Sequence, residues 1–178
     1  ADTRIFVHMA DAVSEGLRTV LIRTVDTDVV VLAVADVVQT EVTELWIAFG
    51  TGAKFRHIPV HEIAASLGPD QSLALPMFHS YTGCDTVSSF GTIGKKTAWE
   101  TWKTFEDVTP TFLALSRSPQ SITEEHFAVL ERFTVLLYDR TSSFCSINEA
   151  RKDLFTKKGR TMYTIPPTRG ALLQHANR

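Results

Sequence analysis

The chain has 178 residues, 44% of them hydrophobic and 21% charged, with a formal net charge of −2. That profile fits an ordinary soluble globular domain with its own core. Two cysteines far apart, Cys84 and Cys145, exclude a disulfide framework or a zinc-finger spacing, and the longest apolar run, 29–38 broken by Asp36, is too short to cross a bilayer.

Charge is unevenly placed. Residues 1–90 hold 5 Lys/Arg against 11 Asp/Glu, residues 91–150 hold 6 against 8, and residues 151–178 hold 7 against 1. An acidic front with a basic tail suits a metal site joined to a nucleic-acid contact, although plain surface solvation gives the same asymmetry.

Along the chain, residues 2–15 read as a helix in progress, with Ile5, Phe6, Met9, Ala12 and Val13 on one face. No signal peptide is visible, and the chain is expected to be a piece of a longer protein. Gly16 punctuates, and 18–25 reads as a buried strand. The valines of 29–38 suit a strand, but Asp26 and Asp28 suit a helix N-terminus, so a helix is expected there. Residues 44–49 form a further strand, 50–52 a turn, and 55–58 the strand that returns.

From 60 to 67 the pattern is helical and stops at Gly68-Pro69. A second helix is expected over 73–82 with Pro76 in its first turn. Helices follow over 97–105 with Trp99 and Trp102 in the core, over 127–138 behind an N-cap at Thr123, and over 146–157. The tail from Lys158, with Pro166-Pro167, has little periodicity and is expected to be extended or mobile. Strands come early and helices late: an α/β unit with a helical extension. There is no internal repeat, and Gly50-Thr51-Gly52 alone is too little for a dinucleotide loop.

The chemistry-bearing residues are acids and a glycine–lysine turn. Asp26 and Asp28 stand at the end of a strand, Asp2 opens the first helix, and Asp85 follows a later helix. Carboxylates gathered beyond strand ends supply the oxygen donors that Mg²⁺ or Mn²⁺ needs, and four together repel one another without a cation. The bland alternative is that Asp-Thr-Asp and Asp85 merely cap helices. Gly91-Thr92-Ile93-Gly94 followed by Lys95 and Lys96 suits a turn that meets phosphate oxygens through main-chain N–H groups, the lysines adding charge. Its alternative is a tight corner between helices with solvated lysines. The histidines have no zinc-ligand spacing; Pro59 separates His57 from His61, and both read as structural or surface. Cys84 has no adjacent base and reads as a small thiol.

Thr82-Gly83-Cys84-Asp85 followed by Ser89-Phe90-Gly91-Thr92-Ile93-Gly94-Lys95-Lys96 resembles the acid-plus-helix–two-turn–helix segment of the flap endonuclease (XPG-type) group of PIN-like nucleases. Val25-Asp26-Thr27-Asp28 resembles the acidic pair after a core strand of that group, and Ala1-Asp2 the end of its acidic helix start. The whole is similar to transposon-associated metazoan members. The resemblance implies an α/β fold with a mixed, mainly parallel sheet and flanking helices. It places a PIN-like domain over 1–140, the helix–two-turn–helix at about 73–105, and a helical extension with a basic tail over 141–178. It implies metal-dependent hydrolysis of DNA that is branched or has single-stranded ends, with two Mg²⁺ or Mn²⁺ ions on Asp2, Asp26, Asp28 and Asp85. Gly91, Gly94, Lys95 and Lys96 would hold duplex phosphates, with K⁺ on the turn carbonyls. Gly91 is displaced by one from the usual Gly-x-Gly of the turn, and basic catalytic residues of the family are missing. A truncated, inactive domain that binds DNA or protein on the same scaffold is therefore the main alternative. A haloacid-dehalogenase-type phosphatase with Asp26 as nucleophile is the minor one. Intracellular, nuclear residence follows only from the expected substrate.

Overall fold

A computed structural model describes residues 3–85, 87–118, 122–157, 159 and 161–177. The chain divides into two compact units, 1–76 and 77–178.

The first unit is built on a three-stranded sheet in the order β1-β2-β3, with β1 Thr19–Thr24, β2 Glu44–Phe49 and β3 Arg56–Pro59. β1 and β2 are parallel, in register from Thr19↔Glu44 to Thr24↔Phe49. β2 and β3 are antiparallel, from Trp46↔Pro59 to Phe49↔Arg56. The sheet is thus mixed, but not mainly parallel as expected: the turn at 50–55 is too short for a parallel crossover, so β3 must return antiparallel. Helix α1 (Thr3–Ser14) precedes β1, and α2 (Thr27–Val37) makes the crossover from β1 to β2.

The valines of α2 lose side-chain freedom in a helix, yet the helix wins because its start is capped and one of its faces is buried. Asp26 caps it, Oδ1 accepting the Asp28 N–H at 2.9 Å. Val29, Ala33, Val34 and Val37 are buried in one core with Met9, Ile22, Leu45, Ile47 and Val60. Burial of each such side chain contributes about 1.5–3 kcal/mol, which outweighs a propensity cost of a few tenths per valine. Helix α3 (Val60–Leu67) ends at Gly68, whose φ of +79° suits glycine.

The chain passes to the second unit within α4 (Pro69–Tyr81). This helix begins at Pro69 rather than at 73, using that proline at its first position, where the missing N–H costs nothing. Pro76 therefore lies inside the helix, not in its first turn. The helices of the second unit are α5 (Lys95–Thr104), α6 (Val108–Arg117), α7 (Glu124–Tyr138), α8 (Ile147–Thr156) and α9 (Arg169–Ala176). α7 carries the core, with Phe127, Leu130, Phe133, Thr134 and Leu137 buried. Rings of Phe78, Trp102, Phe112 and Phe133 pack in series with centroids 4.6, 5.6 and 5.7 Å apart. The Trp102 indole donates to Thr109 Oγ1 at 2.8 Å, so its polar atom is satisfied inside the core.

α9 corrects the expectation of an extended tail: Thr168 Oγ1 accepts the Ala171 N–H at 3.3 Å and Leu172 is fully buried. Pro166-Pro167 lead into that helix rather than marking the end of order. Among the described residues no helix is long and apolar enough to cross a membrane.

Candidate functional site

The first unit brings Asp26 and Asp28 together where β1 ends and α2 begins. The Asp26 N–H donates to Thr24 Oγ1 at 3.0 Å, which turns the chain out of the strand. Asp26 is exposed and Asp28 half-buried in the first turn of α2, where the helix dipole favours negative charge. Capping takes up Oδ1 of Asp26; its second oxygen is a hard donor of the kind a divalent cation accepts.

A cleft of about 600 Å³ lies at the same end of the sheet, lined by Val25 after β1 and by Phe49, Lys54, Phe55 and Arg56 after β2. Pairing continues past the strands, the Gly50 N–H reaching the Thr24 carbonyl at 3.2 Å. Gly50 has φ +83°, and a Cβ there would sit 2.9 Å from the Lys54 carbonyl oxygen. Only glycine lets the 50–55 turn fold back so closely. The strands beside that turn set cations over aromatic rings: the Arg56 guanidinium of β3 lies 5.4 Å from the Phe49 ring centroid, and that of Arg23 in β1 lies 5.9 Å from that of Phe55. Phe55 keeps 41% of its surface exposed. Crevices beyond the carboxyl ends of parallel strands are the usual ligand sites of α/β sheets.

Asp85, Gly91, Gly94, Lys95 and Lys96 all belong to the second unit, on or beside the connection 82–94 between α4 and α5. That connection is not a tight corner. Its first two residues, with Lys95 and His175, close the C-terminus of α4, whose last four carbonyls need partners from outside the helix. Phe78 O accepts from the Thr82 N–H at 3.0 Å and its hydroxyl at 2.7 Å, and Ser80 O from the Gly83 N–H at 3.0 Å. His79 O accepts from the Lys95 ammonium, which also donates to Thr82 Oγ1 at 2.7 Å. Tyr81 O accepts from His175 Nε2 at 2.8 Å. Gly83, at φ +99°, brings the chain against Ser89, whose Cβ would lie 2.5 Å from an added Cβ. At Gly91 an added Cβ would meet the Tyr163 carbonyl oxygen at 3.0 Å, so this glycine packs against the protein's own backbone.

Gly94 is the N-cap of α5, Lys96 is exposed in the first turn, and Asp85 is exposed in a turn bounded by a Cys84–Val87 bridge. The expected acids therefore fall into two places: Asp26 with Asp28 in the first unit and Asp85 in the second, while Asp2 lies outside the described residues. Among the described residues no group of three or more His, Cys, Asp or Glu side chains is arranged to hold a metal ion.

Sequence reasoning passed over Lys54, Arg56 and Arg23. The available signal was the basic–aromatic–basic run Lys54-Phe55-Arg56 directly after Gly50-Thr51-Gly52, together with Arg23 near the end of β1. No protein-family model, no curated protein and no solved structure matches the chain.

Proposed function

We propose that the chain is a metal-dependent phosphodiesterase domain acting on nucleic acid, a PIN-like, structure-specific DNA nuclease in the form its sequence resembles. One observation carries the reading: two carboxylates stand at the end of β1, and the cleft beyond the ends of β1 and β2 is lined by Lys54, Arg56 and exposed aromatic surface. Metal-dependent phosphodiester hydrolysis uses that pairing, with acidic residues to hold the cation and basic ones to hold the phosphate backbone.

Asp26 and Asp28 would hold Mg²⁺ or Mn²⁺ at the end of β1. When bound, such ions activate a water and stabilise the leaving oxygen. Lys54 and Arg56 neutralise backbone phosphates, and Phe55 with Arg23 offers a base a surface to stack on. Lys96 adds a second, exposed phosphate contact at the start of α5.

A second reading, a domain that binds DNA without cutting it, is favoured by the Arg–aromatic pairs, which need no metal. One experiment separates the two. The protein is incubated with 5′-flap DNA and Mn²⁺, beside its Asp26→Asn variant. The nuclease reading expects cleavage that falls at least about 100-fold in the variant while DNA binding persists. Cleavage unchanged by the substitution overturns that reading, and binding without cleavage in both proteins selects the second.

A further inference from the structure

We infer that a second cleft, wholly within the 77–178 unit, is an esterase-type site with Ser88 as nucleophile and His175 as its base. Ser88 Oγ lies 2.9 Å from His175 Nδ1, although 87 residues separate them in sequence. The other ring nitrogen, Nε2, lies 2.8 Å from the Tyr81 carbonyl oxygen. A carbonyl only accepts, so Nε2 carries the proton of the neutral ring. Nδ1 then presents a lone pair, and the Ser88 hydroxyl must donate to it. This is nucleophile, base and orienting acceptor in sequence, with a main-chain carbonyl in the place a carboxylate takes in a catalytic triad.

The ring cannot easily leave this pose. Its centroid lies 4.8 Å from that of Phe90 and 5.4 Å from that of Tyr81, and both of those side chains are buried. Ser88 itself is exposed and lines a cleft of about 320 Å³ with Phe90, Tyr138, Ile165 and Pro166. Arg151 braces the wall by donating to the Pro166 carbonyl. The size and mainly apolar lining suit a small carboxylic ester. Ser89 lines the same cleft and follows the nucleophile, the position that commonly supplies an oxyanion N–H.

In the reaction Ser88 Oγ bonds to the ester carbonyl carbon as its proton passes to His175 Nδ1. The carbon–oxygen bond to the alcohol then breaks, and the imidazolium returns that proton to the departing alkoxide. Water, activated by the same nitrogen, releases the acid and restores Ser88. This site uses none of the groups of the strand-end cleft and stands whether or not that cleft cuts DNA.

The test is a fluorophosphonate probe, which forms an Oγ–P bond, loses fluoride and leaves its proton on His175. Mass spectrometry of the labelled protein is expected to find one adduct, on Ser88. Ser88→Ala should abolish it. His175→Gln, which keeps an N–H donor for the Tyr81 carbonyl but lacks the base, should slow labelling at least about 100-fold with an unchanged melting temperature. Three results would overturn the inference: a folded wild-type protein that takes no label, a label on another residue, or labelling at full rate in folded His175→Gln.

Discussion

The ammonium of Lys95 donates to the main-chain carbonyl of His79, one turn-end being tied to the start of the next helix across sixteen positions of sequence. The same group donates to Thr82 Oγ1 and lies 5.9 Å from the Phe78 ring centroid. Its neighbour Lys96 is exposed. Two adjacent lysines thus hold different offices, and substitution separates them. Lys95→Ala should destabilise the second unit by about 1–2 kcal/mol, because it removes charge-assisted bonds to the end of α4. Lys96→Ala should change stability by less than about 0.5 kcal/mol and lower DNA affinity in a salt-dependent way. Thermal melts and binding titrations at two salt concentrations check both.

Asp26 has a structural duty as the cap of α2 besides any part in catalysis. Asp26→Ala should cost about 1 kcal/mol of stability, whereas Asp26→Asn, an equally good cap, should cost a few tenths at most. Urea denaturation of the two variants reads the difference. The asparagine variant is therefore the right one for testing activity, since its fold is kept.

Gly83 cannot be replaced cheaply. Its φ of +99° and the 2.5 Å approach of Ser89 to an added Cβ act together. Gly83→Ala should destabilise by at least about 2 kcal/mol, combining a left-handed backbone penalty with a clash against a side chain fixed at its Cα. Gly94, where an added Cβ meets nothing within 4 Å, should accept alanine far more readily. Melting temperatures of the pair give the comparison.

Burial raises the Asp36 carboxyl above its ordinary value. The folded chain then holds this proton more tightly than the unfolded chain, so stability falls as pH rises from below the unfolded value through the folded one. Asp36→Asn removes the charge that folding must desolvate. It should raise the melting temperature at pH 7, and that gain should vanish below about pH 3.8, where the carboxyl is neutral in both states. A gain that persists undiminished at pH 3 would assign the effect to something other than ionisation.

Much of the first unit was legible because local signals agreed there. A short apolar run between polar residues and the Gly50-Thr51-Gly52 turn marked 44–49, Asp26 at a strand end marked the start of α2, and Gly68 marked the end of α3. Asymmetry in the second unit came from tertiary burial. α6 was not assigned from the sequence; in the structure Val108, Phe112 and Leu115 are buried and Pro110 falls in the first turn, where it is tolerated. α9 is short and has weak periodicity, and Leu172 with the Thr168 cap decides it. The strand-end acids were legible by position. Lys54 and Arg56 were passed over, because the basic–aromatic–basic run Lys54-Phe55-Arg56 gains its meaning only when β3 turns it back beside the strand ends. The proximity of Ser88 to His175 leaves no trace in local sequence at all.

Localising a bound cation tests the central claim most directly, namely that the carboxylates after β1 hold a divalent ion beside the phosphate-binding cleft. NMR spectra of the isotope-labelled protein, recorded while substoichiometric Mn²⁺ is added, report which amides lie near the ion through paramagnetic broadening. The account predicts broadening centred on 26–28 and extending to the 50–56 turn, and its loss in Asp26→Asn. Broadening confined to other residues, or a pattern that survives Asp26→Asn unchanged, would contradict it.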